Sequence, residues 1–194
     1  MLRKIFSIVI LAAFAGAALA QQSPANKKKN CGCSFSSINQ LGLLAGEKNE
    51  AFQVQTINGL QYRTWMVGAG VGIDGYRFRS IPLFLHLRKE FNLNSNAIFI
   101  YNDIGMNYPW LKTEQKSFRG SADDYDHGIY YDGGIGYKIL LKRHAVVFGG
   151  GFSLKEFTER RYSTVCPFGG PCYSQDEEYF YSLKRVTLKL GVQL

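Results

Sequence analysis

Past residue 20 the chain has no apolar run of helical-span length. A helical crossing needs about 20 such residues, so any membrane crossing by the remainder must use strands. Histidine is scarce, at three residues, and no Gly-x-Ser-x-Gly elbow occurs, which removes the familiar serine-hydrolase turn. Charge is also sparse, at 20% of 194 residues with a formal net value of +8. A positive balance can signal nucleic acid. Here the only dense basic run is Lys27, Lys28 and Lys29, and the other charges are scattered, so no nucleic-acid surface is expected. What the chain does have is 21 Gly, 14 Phe and 12 Tyr with few helix-forming runs, the composition of an all-β protein.

The first twenty residues explain part of that balance. Arg3 and Lys4 precede an apolar run, Ile5–Leu11, broken only by Ser7. Mostly small residues follow, and Ala18-Leu19-Ala20 ends the stretch in a small-x-small pattern. Residues 1–20 therefore read as a secretory signal peptide cleaved after Ala20. No Cys follows that site, so a lipid anchor is not expected. Residues 21–35, rich in Gln, Ser, Pro, Asn and Lys, read as a flexible periplasmic leader, and residues 36–194 as one domain.

That domain repeats with period two. In the last segment Val186, Leu188, Leu190, Val192 and Leu194 share a face, opposite Arg185, Thr187, Lys189, Gly191 and Gln193. Alternation this strict means a strand with one apolar and one polar face. Similar segments centre on Leu41–Ala45, Phe52–Thr56, Trp65–Asp74, Ile81–Glu90, Ile98–Met106, Ile129–Leu141 and Ala145–Lys155. Asn102 interrupts one apolar face. Eight segments satisfy the even count of a bacterial transmembrane barrel. Short turns are expected near Tyr62–Thr64, Asn92–Asn96 and Lys142–Arg143. Outer loops are expected at Glu47–Glu50, Gly75–Ser80, Asn107–His127 and Thr158–Glu178, the last two long and polar. The predicted fold is an eight-stranded antiparallel up-and-down transmembrane β-barrel.

A soluble lipocalin-like barrel would also alternate, with its apolar face inward. The glycines separate the two. Gly68, Gly70, Gly72, Gly134, Gly136, Gly149 and Gly151 all fall on the non-apolar face. Glycine weakens a strand and is expected where side chains would collide, as inside a narrow eight-stranded barrel. The polar face is thus read as the lumen, and an interior charge network is expected from Arg88, Glu90, Asp103, Asp132, Lys138, Arg185 and Lys189, joined by His86 and Lys155. Buried charges must be paired, so this network should fill the barrel. Tyr62, Trp65, Tyr76, Phe78, Phe91, Tyr108, Trp110, Phe157, Tyr179 and Phe180 lie near strand ends and are expected as interfacial girdles.

On the stretches Ser37–Leu60 (SINQLGLLAGEKNEAFQVQTINGL), Trp65–Asp74 (WMVGAGVGID) and Arg79–Phe91 (RSIPLFLHLRKEF), the chain resembles small bacterial outer-membrane β-barrel proteins grouped as "outer membrane protein β-barrel domain". The resemblance implies an outer-membrane barrel without a defined activity. One departure is the terminal Leu194, where many such proteins end in an aromatic.

Few constellations carry chemistry. An exported chain with four cysteines invites disulfides. Cys166-Pro-Phe-Gly-Gly-Pro-Cys172 reads as a tight loop closed by a Cys166–Cys172 bridge, and Cys31 and Cys33 sit too close together for an unstrained one. Ser80 shares a face with His86 but is six residues along the strand, about 20 Å at ~3.3 Å per residue. That is beyond the hydrogen-bond reach nucleophilic catalysis needs. Asp123, Asp124 and Asp126 lack the spacing of a calcium loop. No catalytic, cofactor or metal site is expected. Arg160 and Arg161 face Asp176, Glu177 and Glu178 across the last outer hairpin, where opposite charges can pair. The expected role is structural or surface-interacting through the long outer loops. Alternatives are a narrow channel for small solutes, a lipid-modifying enzyme and a soluble binder. Expected partners are outer-membrane lipid, the barrel-assembly machinery and an undefined surface ligand, with the protein monomeric.

Overall fold

A computed structural model describes residues 32–46, 50–76, 79–94, 96–110, 123–141, 143–165, 170 and 172–194. The strands are β1 Cys33–Ala45, β2 Glu50–Tyr62, β3 Trp65–Asp74, β4 Ser80–Leu93, β5 Asn96–Pro109, β6 Asp123–Asp126, β7 Gly128–Leu140, β8 Ala145–Val165 and β9 Tyr173–Gln193. All pairings are antiparallel, in the order β6-β8-β7-β5-β4-β3-β2-β1-β9, and β8 also pairs with β9. That last pairing closes the sheet. Eight long strands make an all-β closed barrel, and β6 is a short addition outside the ring.

Closure is continuous in register. β1 meets β9 through Leu41↔Leu190 and Leu43↔Leu188, and β9 meets β8 through Phe148↔Leu190 and Phe152↔Val186. A closed ring leaves no open edge within the barrel wall. β1 begins at Cys33, inside the stretch expected as leader, with Cys33 opposite Tyr62.

The two ends of the barrel differ. At one end, here the turn end, tight connections join β2 to β3, β4 to β5 and β7 to β8. Arg63 and Asn94 have positive φ (54° and 49°), as tight reversals of this kind demand. At the other end β8 and β9 continue far past their neighbours. β7 stops pairing with β8 at Tyr130↔Lys155, while β8 and β9 stay paired to Val165↔Tyr173. The expected loop Thr158–Glu178 is therefore largely a β-ribbon. β6, inside the expected loop Asn107–His127, pairs with it through Asp124↔Arg160 and Asp126↔Thr158. The reason is sequence-local: Arg160↔Glu178 sets opposite charges across the ribbon.

Side chains divide by parity. Outward residues include Leu41, Phe52, Val67, Leu85, Ile104, Ile135, Phe148, Leu188 and Leu190, all exposed. Inward, Ile38, Ile57, Met66, Phe84, Phe99, Tyr101, Tyr130 and Val147 form one buried cluster. Inward glycines make room for these rings. A Cβ at Gly70 would run into Phe84, and one at Gly136 into Phe99; at Gly151 it would lie 2.7 Å from the Tyr101 hydroxyl.

Candidate functional site

The lumen is bridged at three levels. At the turn end, Glu90 on β4 accepts from Lys138 on β7 at 3.0 and 3.1 Å and from Gln61 at 3.1 Å. Arg88 Nε lies 3.7 Å from Glu90, its guanidinium sits 3.4 Å above the Phe99 ring, and it donates to Gln193 on the closing strand. Gln193 donates in turn to Ser36 at 2.8 Å.

In the middle, Lys189 from β9 reaches Asp132 on β7 at 2.9 Å and Asp103 on β5 at 3.5 Å. His86 Nδ1 lies 2.5 Å from the other Asp103 oxygen. Tyr101 and Tyr130 donate to Asp132 at 3.1 and 3.2 Å, and Gln53 and Gln55 donate to the Tyr130 hydroxyl. Asp103 and Asp132 have no exposed surface, and Lys189 has 6%.

At the ribbon end, Lys155 on β8 pairs with Asp74 on β3 and donates to Ser80 Oγ at 2.8 Å, while Ser80 donates to Asp74 at 2.7 Å. Tyr76 lies over this cluster, with Lys155 Nζ 4.7 Å from its ring. Burial raises the Tyr76 phenol above its ordinary range, so it remains a neutral hydroxyl.

Arg185 is placed at the ribbon end of the barrel. It is half-buried at the rim, donating to the Leu44 carbonyl at 3.4 Å and to the Tyr76 carbonyl. Sequence reading grouped it with the network because parity shows only the face, whereas Arg185 lies beyond the last β1 partner, Val186. Tyr130, which is fully buried, and the Lys155–Asp74–Ser80 cluster were not anticipated. Ser80 stands by Lys155, not by His86, and His86 is engaged with Asp103. Lys155 and Ser80 both bond to Asp74.

Outside, Tyr62, Trp65, Phe91, Tyr108 and Trp110 are between 42% and 48% exposed near strand ends. Tyr76 and Phe157 instead point inward at 4% and 3%; Phe157 shares parity with Ser153 and Lys155 and stacks on Tyr181 at 4.9 Å. Phe78 lies outside the described residues. Tyr179 and Phe180 sit on the ribbon, Phe180 at 78% exposure. Asn102 lies on the outward face and accepts from Tyr131 at 2.9 Å.

Cation–aromatic pairs stand at both ends of the apolar wall: Arg79 over Trp110 at 5.0 Å, and Lys89 over Trp65 at 4.6 Å. Between Arg79 and Lys89 the outward residues of β4 are Ile81, Leu83, Leu85 and Leu87. Ten residues at ~3.3 Å span about 33 Å along the strand, and a tilt of roughly 40° reduces this to about 25 Å, the height of a barrel's apolar band.

No family model matches the chain, and no curated protein does. A solved structure does match: Neisserial surface protein A. The TM-score is 0.53 at 10% identity, over 84% of this chain and 98% of that one. Identity this low carries the fold alone, a closed antiparallel barrel. Ribbon charges complete the site: Arg160 lies 3.1 Å from Asp126 on β6 and 3.2 Å from Glu178 on β9, tying three strands together. Cys166 lies outside the described residues, as do 111–122.

Proposed function

We propose that this chain is an integral β-barrel of a bacterial outer membrane, exported with a signal peptide cleaved after Ala20. We assign it a structural or surface-interaction role carried by its outer ribbon and loops. The observation behind this reading is the split between an apolar outer wall and a lumen crossed at three levels by bonded side chains, with β8 and β9 rising beyond it. Lipid is the solvent that suits such a wall, and a filled lumen moves the working surface to the ribbon. Its partners are outer-membrane lipid, the assembly machinery and a surface ligand, and it acts as a monomer. A Cys166–Cys172 bridge closes the ribbon tip in this proposal. Support comes from the Val165↔Tyr173 pairing, which brings the chain neighbours of the two cysteines together.

Washed membranes run in SDS unboiled and boiled test the reading. A mobility shift on heating is expected, together with cleavage near residues 160–178 when intact cells are treated with protease. Recovery in a soluble fraction without a shift would overturn the assignment. Non-reducing digests should join the two cysteine peptides.

A further inference from the structure

The turn end carries a charge pattern that the lumen does not explain. Among the described residues there, the Lys, Arg, His, Asp and Glu side chains outside the lumen are Arg63, Lys89, Arg143 and His144. Glu90, the acid at that level, points inward and is consumed by Lys138 and Arg88. The outer rim of this end therefore carries basic side chains and no outward Asp or Glu side chain among the described residues.

Within that rim one group is built rather than scattered. Trp65 and Lys89 are cross-strand partners. Lys89 Nζ lies 4.6 Å from the Trp65 ring centre and donates to Thr64 Oγ1 at 2.7 Å. Thr64 is fixed in turn, because its carbonyl accepts from the Glu90 amide at 2.7 Å. The adjoining Arg63, exposed in the turn with positive φ, has its guanidinium 5.3 Å from the Tyr62 ring. Two cations are thus held by aromatic rings, flanking a hydroxyl whose proton is free to be donated. All of this lies at the edge of the ~25 Å apolar band, the depth at which a lipid's phosphate sits.

We infer that Arg63, Thr64 and Lys89 form a clamp for the headgroup of an anionic glycerophospholipid in the leaflet facing the turn end. The two cations neutralise the phosphate, Thr64 donates to it, and Trp65 and Tyr62 pack on the first carbons of the lipid. An anionic headgroup is favoured over a zwitterionic one because, among the described residues of this rim, no Asp or Glu side chain faces outward to pair with an ammonium. The clamp rests on the membrane reading above and is independent of what the ribbon does.

The test is native mass spectrometry of the folded chain in detergent, titrated with phosphatidylglycerol or with phosphatidylcholine of the same acyl chains. Wild type is expected to retain phosphatidylglycerol preferentially. Each of Arg63→Gln and Lys89→Gln should reduce that retention about fivefold, as expected for loss of one basic group at a membrane surface. Arg79→Gln, at the ribbon end, should leave it unchanged. Equal retention of the two lipids by wild type, or a preference that survives in the double variant, would overturn the clamp. So would a preference lost only in Arg79→Gln. The heat shift of each variant, read in parallel, separates the two proposals: a chain that never forms a heat-modifiable barrel refutes the membrane reading, whereas a folded barrel without lipid preference refutes only the clamp.

Discussion

Lys189 and Leu190 are neighbours in the chain with opposite surroundings, 6% and 50% exposed. On the proposed membrane reading, Leu190→Lys places an ammonium in the hydrocarbon, at a cost of roughly 2–4 kcal/mol near the midplane, and should lower the fraction that inserts. Lys189→Leu should insert but leave Asp103 and Asp132 without their shared cation. Breaking a buried pair costs about 3–5 kcal/mol, so its unfolding midpoint in urea should fall. Swapped effects would reverse inside and outside. Gly136→Leu should also destabilise the barrel, by about 1–3 kcal/mol for overpacking, because Phe99 occupies the space a side chain needs. At this scale the sequence was informative about faces and silent about partners. Period two shows that Lys155, Asp74 and Ser80 point inward. Only the register across β3, β4 and β8 brings them together.

Among the elements, the barrel strands were legible because each has one apolar and one polar face. The ribbon was not, because beyond the closed barrel both faces of a strand meet solvent or other strands and the sequence there has no apolar and polar faces to contrast. The opposite charges at Arg160 and Glu178 did mark its stems, and with Asp126, which the sequence did not connect to them, they tie β6, β8 and β9. These pairs are exposed, at 40–48%, so each should contribute under about 1 kcal/mol. Arg160→Ala should accordingly leave the heat shift unchanged while increasing protease cleavage within the ribbon. A loss of the heat shift would mean that the ribbon supports the barrel itself.

For the whole molecule, the filled lumen governs permeability. In planar bilayers the purified protein should show no discrete openings, because each of three levels is crossed by bonded side chains. Steady single-channel steps would favour a solute pathway and a lumen that rearranges. The same three levels also divide the strands by the charges they supply. Arg88, Glu90 and Lys138 belong to β4 and β7, so that level is neutralised without the final hairpin. Asp74, Asp103 and Asp132 draw Lys155 and Lys189 from β8 and β9. A sheet lacking that hairpin would hold carboxylates without those cations, and buried charges need partners or water. Sealing the barrel with β8 and β9 is thus also a drying step, in which the lysines replace water at the carboxylates.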